Sequence, residues 1–334
     1  MPVTVRSFAK INLGLAIGPL RPDGYHELRT VYQTVALHDV LRLEITRGSG
    51  ITIRSKDPRV PTDHTNTCFR ILELAMSELK RRGRIVLDIE KHLPVQGGLG
   101  GASGNGVAAL VALERALKTS LPASDRLRIA AAVGSDLPLF LVGGTALGVS
   151  HGEEVYPLAD LPAIQCVIAT PEIGVSTPKA FADWDARIAA AVLGKNGKLT
   201  GSPASYKIEG FGRMLSVWLK GVPTKKAEKP SSGVPAKGRG QAETQLLDLV
   251  RTGIANDFEE VVFPQHPELR DVKRVLERSG AIYASLSGSG SAVYGLFRSR
   301  QQAQQAARRL VNTGIPAQAT TTLTRSAYWK KLLG

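Results

Sequence analysis

Glycines at positions 97, 98, 100, 101 and 104, lying between Leu93 and Asn105, are the strongest chemical signal in the 334-residue chain. Ile85, Leu87 and Ile89 alternate ahead of them as in a strand, and residues 107–114 follow as a helix-forming, almost wholly apolar run. A glycine turn between strand and helix aims free backbone N–H groups and a positive helix end at an anion. Phosphate suits such a turn, because a side chain would block its approach. Neither common phosphate loop fits. No lysine lies between Gly97 and Asn105, which excludes the Gly-Lys-Ser/Thr ending, and the third place of a dinucleotide fingerprint counted from Gly98 and Gly100 falls on Ser103. A tight turn without a ligand is the alternative for a glycine run read by itself.

Other reactive side chains depend on the elements that carry them. In the first strand Ile11, Leu13, Leu15 and Ile17 alternate with Lys10, Asn12 and Gly14, so Lys10 and Asn12 project from one face. A solvated face is the competing reading for that lysine. Arg21-Pro22-Asp23-Gly24 is a turn, and His26 just after it has no role on pattern alone. Residues 41–45 and 51–53, joined by Gly48-Ser49-Gly50, read as a hairpin. Residues 66–82 read as a helix with Phe69, Leu72, Met76 and Leu79 on its apolar face and Gly83 as the stop. Ser124-Asp125 cap a helix running through Val133, and Gly134-Ser135-Asp136-Leu137-Pro138 then breaks the pattern. Asp136 there is open to two readings, a reactive carboxylate or a helix N-terminal residue. A second glycine turn, Ser287-Gly288-Ser289-Gly290-Ser291, sits between two β-prone runs.

Composition narrows the class. At 43% hydrophobic and 22% charged the chain reads as an ordinary globular protein, with no apolar run of membrane-spanning length and no signal-peptide core at its start. Two distant cysteines, Cys68 and Cys166, suit buried thiols in a reducing compartment, hence the cytoplasm. The net charge of +14 raises the question of nucleic acid, but residues 186–244 hold eleven basic against three acidic side chains, more than half the excess. With 5% aromatic residues to stack bases, a nucleic-acid role is the weaker reading, and the surplus is expected to be mostly solvated surface. The composition changes near residues 158–162, which divides the chain into 1–160 and 161–334. Residues 221–240 carry three prolines and five lysines or arginines among glycines and serines, and read as a flexible insertion. Deleting residues 221–240 is expected to leave turnover within about twofold of the intact chain. Loss of turnover or folding on that deletion would remove the linker reading.

Pro94 to Ser103 resembles the phosphate-binding loop of the GHMP kinases, with Gly104 where a second serine is frequent and Gly106 where alanine is usual. Further motifs narrow the resemblance: Ala9-Lys10-Ile11-Asn12-Leu13, Arg21-Pro22-Asp23-Gly24-Tyr25-His26-Glu27-Leu28-Arg29-Thr30, Gly134 to Pro138, Val175-Ser176-Thr177, Asn256-Asp257-Phe258-Glu259 and Ser287 to Ser291. These are similar to the branch of the superfamily that acts on 4-diphosphocytidyl-2-C-methyl-D-erythritol in non-mevalonate isoprenoid synthesis. They span most of the chain outside 186–244.

The resemblance implies an α+β, two-domain fold: an N-terminal α/β domain of the ribosomal-protein-S5-domain-2 type, a ferredoxin-like C-terminal domain, and an active site in the cleft between them. It implies ATP with Mg²⁺, and phosphorylation of the acceptor's 2-hydroxyl. Carried over residue by residue, Asp136 orients that hydroxyl and accepts its proton, with Lys10 as its electrostatic partner. Pro94, Val95, Gln96, Gly97, Gly98, Leu99, Gly100, Gly101, Ala102, Ser103 and Gly104 hold the nucleotide phosphates, with Asn66 and Lys91 at the adenine. Asn12 and Thr177 contact the acceptor, Tyr25 and Phe181 sandwich its base, and His26 bonds the base's polar edge. No metal-ligand set is legible. The rivals are a homoserine- or mevalonate-type kinase, a basic nucleic-acid-binding protein, or an inactive relative.

Overall fold

The computed structural model describes residues 2–95, 97–193, 203–219 and 254–334. Two strands lead, β1 (Val3–Leu20) and β2 (His26–Thr46), paired antiparallel along nearly their whole length. The register slips between Asn12 and Gly14, so Leu13 bulges. This divides the expected apolar row: Ile11 and Leu13 enter one core cluster, Leu15 and Ile17 another. The carbonyls of Asn12 and Leu13 accept instead from the phenols of Tyr294 (2.8 Å) and Tyr283 (3.0 Å).

The six-stranded sheet has β3 (Gly50–Ser55), β4 (Arg84–Glu90), β2, β5 (Thr145–Val149) and β6 (Glu154–Pro157) in that order, with β1 on β2. The expected hairpin between residues 41 and 53 is not formed. β4 lies between β2 and β3, antiparallel to the first and parallel to the second. The chain returns one strand-width away, and the helix α1 (Thr67–Glu78) carries it back to fill the gap. That helix is shorter than the sequence suggests, because Lys80 adopts a left-handed φ of 50° before Gly83 is reached. Its buried face is Cys68, Ile71, Leu72 and Ala75, while Phe69, Met76 and Leu79 are only partly covered. Beside it lies α2 (Gly101–Leu117), buried on nearly every side from Gly104 to Glu114. Next come α3 (Ala123–Val133), begun at Pro122 rather than capped by Ser124, and the short α4 (Leu137–Val142).

The second sheet comprises β7 (Gln165–Ala169), β8 (Tyr283–Leu286), β9 (Val293–Phe297) and β10 (Ala317–Thr321), ordered β10-β7-β9-β8 and antiparallel throughout. This is the ferredoxin-like order. Alternate residues face opposite clusters: Val293 and Phe297 pack with the helix layer, Tyr294 and Leu296 with β1. Between β7 and β8 run α5 (Thr177–Leu193), α6 (Pro203–Leu219), α7 (Glu259–Gln265) and α8 (Pro267–Arg278); α9 (Arg300–Asn312) precedes β10. The last helix, α10 (Arg325–Leu332), returns to the first cluster, where the Tyr328 hydroxyl donates to the Phe140 carbonyl at 2.7 Å.

Within the basic stretch 186–244, part is folded rather than solvated. In α6, Ile208, Phe211 and Leu215 are buried, and Lys207 bonds Asp257 at 2.7 Å and Glu260 at 2.6 Å. Burial raises the Asp257 carboxyl above its ordinary value, and the lysine acts against that shift. The 221–240 insertion lies outside the described residues. Among the described residues no helix is long and apolar enough to cross a membrane.

Candidate active site

The glycine loop ends β4 and starts α2. Gly98 and Gly100 have φ of 79° and 68°, and no side chain caps the helix at Gly100, so its first N–H groups are left for a ligand. Asp39, fully buried in β2, anchors both ends. Its carboxylate accepts from the His92 and Leu93 amides and the Lys91 ammonium, each at 2.7 Å, and from the Asn105 side chain at 3.0 Å. The loop borders a cleft of roughly 360 Å³ whose walls include Pro94, Val95, Gly97, Gly98, Leu99, Gly100, Gly101, Ala102 and Ser103, with Asn66 and Lys91 opposite. Gln96 is outside the described residues.

Several expected contacts have different geometry. Gly104 faces inward: a Cβ there would meet the Phe8 carbonyl at 2.8 Å, so its glycine serves helix-to-strand packing and lies away from the cleft. Lys91 spends its charge on Asp39. Asn66 caps α1, its oxygen accepting from the Cys68 amide at 2.8 Å and its nitrogen donating to the Pro61 carbonyl at 2.6 Å.

The second glycine turn, between β8 and β9, packs directly on the first. The Ala292 amide donates to the Gly97 carbonyl and the Ser287 hydroxyl to the Gly98 carbonyl, both at 3.0 Å. A Cβ on Gly98 would lie 2.3 Å from the Ser287 carbonyl. Gly98→Ala is therefore expected to cost about 3 kcal/mol, from left-handed strain plus backbone overlap. Urea unfolding measures this, and a loss under about 1 kcal/mol would mean the two turns separate readily. Asn256 pins the second turn, donating to the Leu286 and Gly288 carbonyls at 2.9 and 2.8 Å.

Lys10 is 4% exposed, which removes the solvated-face reading. Its ammonium lies 3.4 Å from Asp136 Oδ2 and donates to Asn12 Oδ1 at 2.9 Å. Asn12 in turn donates to the Thr30 hydroxyl, and Thr30 to the Gly14 carbonyl, both at 2.8 Å. Both ends of the Asn12 amide thus have protein partners, and the residue orients Lys10. Asp136 starts α4 but makes no capping bond. Its Oδ1 accepts from the Tyr32 hydroxyl at 3.1 Å. Burial, then the nearby Asp136 charge, pushes the Tyr32 phenol well above its ordinary pKa, so it remains a donor.

Of the expected acceptor residues, Thr177 lines a second cleft of about 450 Å³, together with Gly98, Val175, Ser176, Pro178, Ser289 and Gly290; Asn12, Tyr25, His26 and Phe181 are not in its walls. Thr177, at the start of α5, shares a 2.7 Å hydrogen bond with Ser289. Gly98 belongs to both clefts, so the glycine loop is the wall between them. Tyr25 and Phe181 do not stack on each other: Phe181 stacks on His26 (5.1 Å, 8°), and Tyr25 on His151 (4.8 Å, 28°). His26 is buried; Nδ1 donates to the Gly18 carbonyl at 3.0 Å and Nε2 faces Asp185 at 3.3 Å. Tyr32, Asp39, Asn256 and His151 were not legible as site residues. Among the described residues no three His, Cys, Asp or Glu side chains gather to hold a metal.

Paired glycine turns beside the buried Lys10 and the partly exposed Asp136, on this pair of sheets, fit a small-molecule kinase. The GHMP kinases N terminal domain model matches residues 66–144, and the GHMP kinases C terminal model residues 241–315. A protein of Solibacter usitatus (strain Ellin6076) described as 4-diphosphocytidyl-2-C-methyl-D-erythritol kinase is 38% identical over 89% of this chain and 81% of its own length. One of the same description from Acaryochloris marina (strain MBIC 11017) is 32% identical over 94% and 92%. A crystal structure of 4-(cytidine 5'-diphospho)-2C-methyl-D-erythritol kinase superposes with a TM-score of 0.69 at 26% identity, covering 96% of this chain and 99% of that one. Homoserine kinase from Cytophaga hutchinsonii, at 20% identity and TM-score 0.66, shares the fold. The chain belongs to the 4-diphosphocytidyl-2-C-methyl-D-erythritol kinase family.

Proposed function

We propose that the protein transfers the γ-phosphoryl group of ATP to the 2-hydroxyl of 4-diphosphocytidyl-2-C-methyl-D-erythritol. The observation that carries this reading is the Lys10–Asp136 pair, whose buried Lys10 lies against both glycine turns: its amide donates to the Leu99 carbonyl at 2.9 Å, and a Cβ on Gly288 would lie 3.5 Å from its ammonium. Phosphoryl transfer needs little covalent help from a protein, and is governed by positioning and charge. Asp136 takes the proton of the acceptor hydroxyl, and its two neighbours fix its direction: Tyr32 holds Oδ1, Lys10 faces Oδ2. The Lys10 ammonium keeps the carboxylate ionised and lowers the cost of negative charge growing on the acceptor oxygen.

The loop from Pro94 to Ser103 receives the nucleotide phosphates through backbone N–H groups, with Asn66 and Lys91 walling the base. Since no metal-holding cluster of His, Cys, Asp or Glu lies among the described residues, Mg²⁺ would enter with the nucleotide phosphates, where the Ser103 hydroxyl lines the cleft, and would supply charge neutralisation there. On the acceptor side, Thr177 with Ser289 borders the diphosphate path, and Tyr25, His26 and Phe181 receive the cytosine. Asn12 acts through Lys10. Domains at 1–160 and 161–334 belong to the same reading, supported by the first sheet ending at Pro157 and the second starting at Gln165. A cytoplasmic setting is supported by two free buried thiols, with Cys68 pushed up to about 12 by burial.

ADP release with ATP, Mg²⁺ and the cytidine-bearing acceptor is the test. Turnover on that acceptor that is lost in Lys10→Met sustains the reading. Turnover only on homoserine or mevalonate would retain the kinase and discard the cytidine pocket.

A further inference from the structure

Tyr25 is an unusual residue for a reading that asks it to hold a base, because the residue is 57% exposed at the tip of the β1–β2 connection. An exposed ring on a turn samples several rotamers, and a flat ligand must then select one. The backbone of that turn is fixed: the Arg21 amide donates to the Tyr25 carbonyl at 2.7 Å, and the Tyr25 amide to Asp23 Oδ1 at 3.1 Å. The ring itself is held from elsewhere. His151, in the loop after β5, stacks on it at 4.8 Å with 28° between the planes.

His151 is fixed more firmly than the ring it supports. Its Nδ1 lies 3.0 Å from Glu153 Oε2 and 2.9 Å from the Ser135 hydroxyl, and its amide donates to the same Glu153 oxygen at 2.9 Å. Both polar partners approach the same ring nitrogen, which rules out a serine–histidine–carboxylate relay, since a relay needs one partner on each nitrogen. The loop's backbone is also pinned. Ser150 adopts φ of 64°, its hydroxyl accepts from Arg21, and a Cβ at Gly152 would lie 2.9 Å from the Tyr32 hydroxyl. One face of the loop therefore bears on Tyr25, and the other on Ser135 and Tyr32, the immediate neighbours of Asp136.

We infer that His151 is a positioning residue for the acceptor: it holds the Tyr25 ring ready for the base and fixes that ring's place relative to Asp136. This rests on the cytidine reading of the Tyr25 side. Polar fixation and ring contact are separable. His151→Gln retains a polar side chain without the ring; His151→Phe retains the ring without the polar bonds; His151→Ala removes both.

The experiment is steady-state kinetics on the full chain with ATP and the cytidine-bearing acceptor, with folding checked by circular dichroism. His151→Ala and His151→Gln are each expected to raise the acceptor KM about fivefold, as loss of an aromatic pair implies. kcat and the KM for ATP stay within about twofold. His151→Phe is expected to return the acceptor KM to within about twofold of wild type. In a Tyr25→Ala background His151→Ala should add less than about twofold, because no ring is left to support. An acceptor KM that is unchanged or lowered in His151→Ala and His151→Gln overturns the inference, a fall meaning that the imidazole occupies the base's place. So does an equal fivefold rise in the Tyr25→Ala background. Wild-type turnover of the acceptor separates the two failures: without it the cytidine reading falls, and with it only the role of His151 is at stake.

Discussion

Asp136→Asn is expected to lower kcat by about 10³-fold, with the KM for ATP within about twofold of wild type. Asparagine has nearly the size of aspartate and can still accept from Tyr32, so the bond to Oδ1 survives. What changes is the atom facing Lys10. An amide nitrogen there cannot take a proton from the acceptor hydroxyl, and it places a donor against the ammonium now 3.4 Å from the carboxylate. The nucleotide cleft does not include position 136, so ATP binding is left alone. Rapid-quench measurement of the chemical step checks the expectation. A fall of less than about fivefold would mean that the proton leaves by water or by the transferred phosphoryl group itself. Asp136 would then be an orienting group and not a base.

The second large effect concerns stability. Asp39→Ala is expected to cost about 3–5 kcal/mol in urea unfolding, because Lys91, with 7% of its side chain exposed, would be left buried without a counter-charge. Two backbone amides at the start of the glycine loop would lose their acceptor as well. The double variant Asp39→Ala with Lys91→Met is expected to recover part of the loss, since it removes the stranded charge. ATP affinity should fall in the single variant, because the same carboxylate ties the loop to Asn105 in α2. A single variant within about 1 kcal/mol of wild type would mean that water replaces the carboxylate and that Asp39 does not anchor the loop.

Much of this arrangement was readable from residue order, where the signal is local. Alternation at Ile85, Leu87 and Ile89, the glycine run and the apolar helix after it needed only neighbouring residues, and β4 and α2 stand where that pattern put them. Pairings between distant segments were not readable. The turn at Gly48–Gly50 signals a change of direction but not how far away the chain returns, so the intervening β4 was invisible. α6 was hidden within the basic stretch 186–244, although Ile208, Phe211 and Leu215 already stand at helical spacing. Its Lys207 is held by Asp257 and Glu260, partners that charge counting does not supply. At the site, Lys10 and Asp136 met only through a family resemblance, since nothing local links a strand residue to a helix start so far along the chain. Tyr32 could be placed only with the β1–β2 register, which sets it opposite Asn12. Asp39 did leave a trace: a carboxylate inside the apolar strand stretch Val35 to Leu41 must have buried partners.

The stitch between the two glycine turns bears on how such an enzyme can be recombined. Ala292 and Ser287 supply the donors for the carbonyls of Gly97 and Gly98, and Gly290 leaves the space that Gly98 needs. Residues 93–105 are therefore not a transplantable cassette. Grafted alone onto a foreign scaffold, they would bring their glycines but leave two carbonyls without donors, and the left-handed turns would relax. A chimaera that exchanges this loop must exchange residues 287–292 with it, although the two stretches lie on different sheets and nearly two hundred residues apart in the chain.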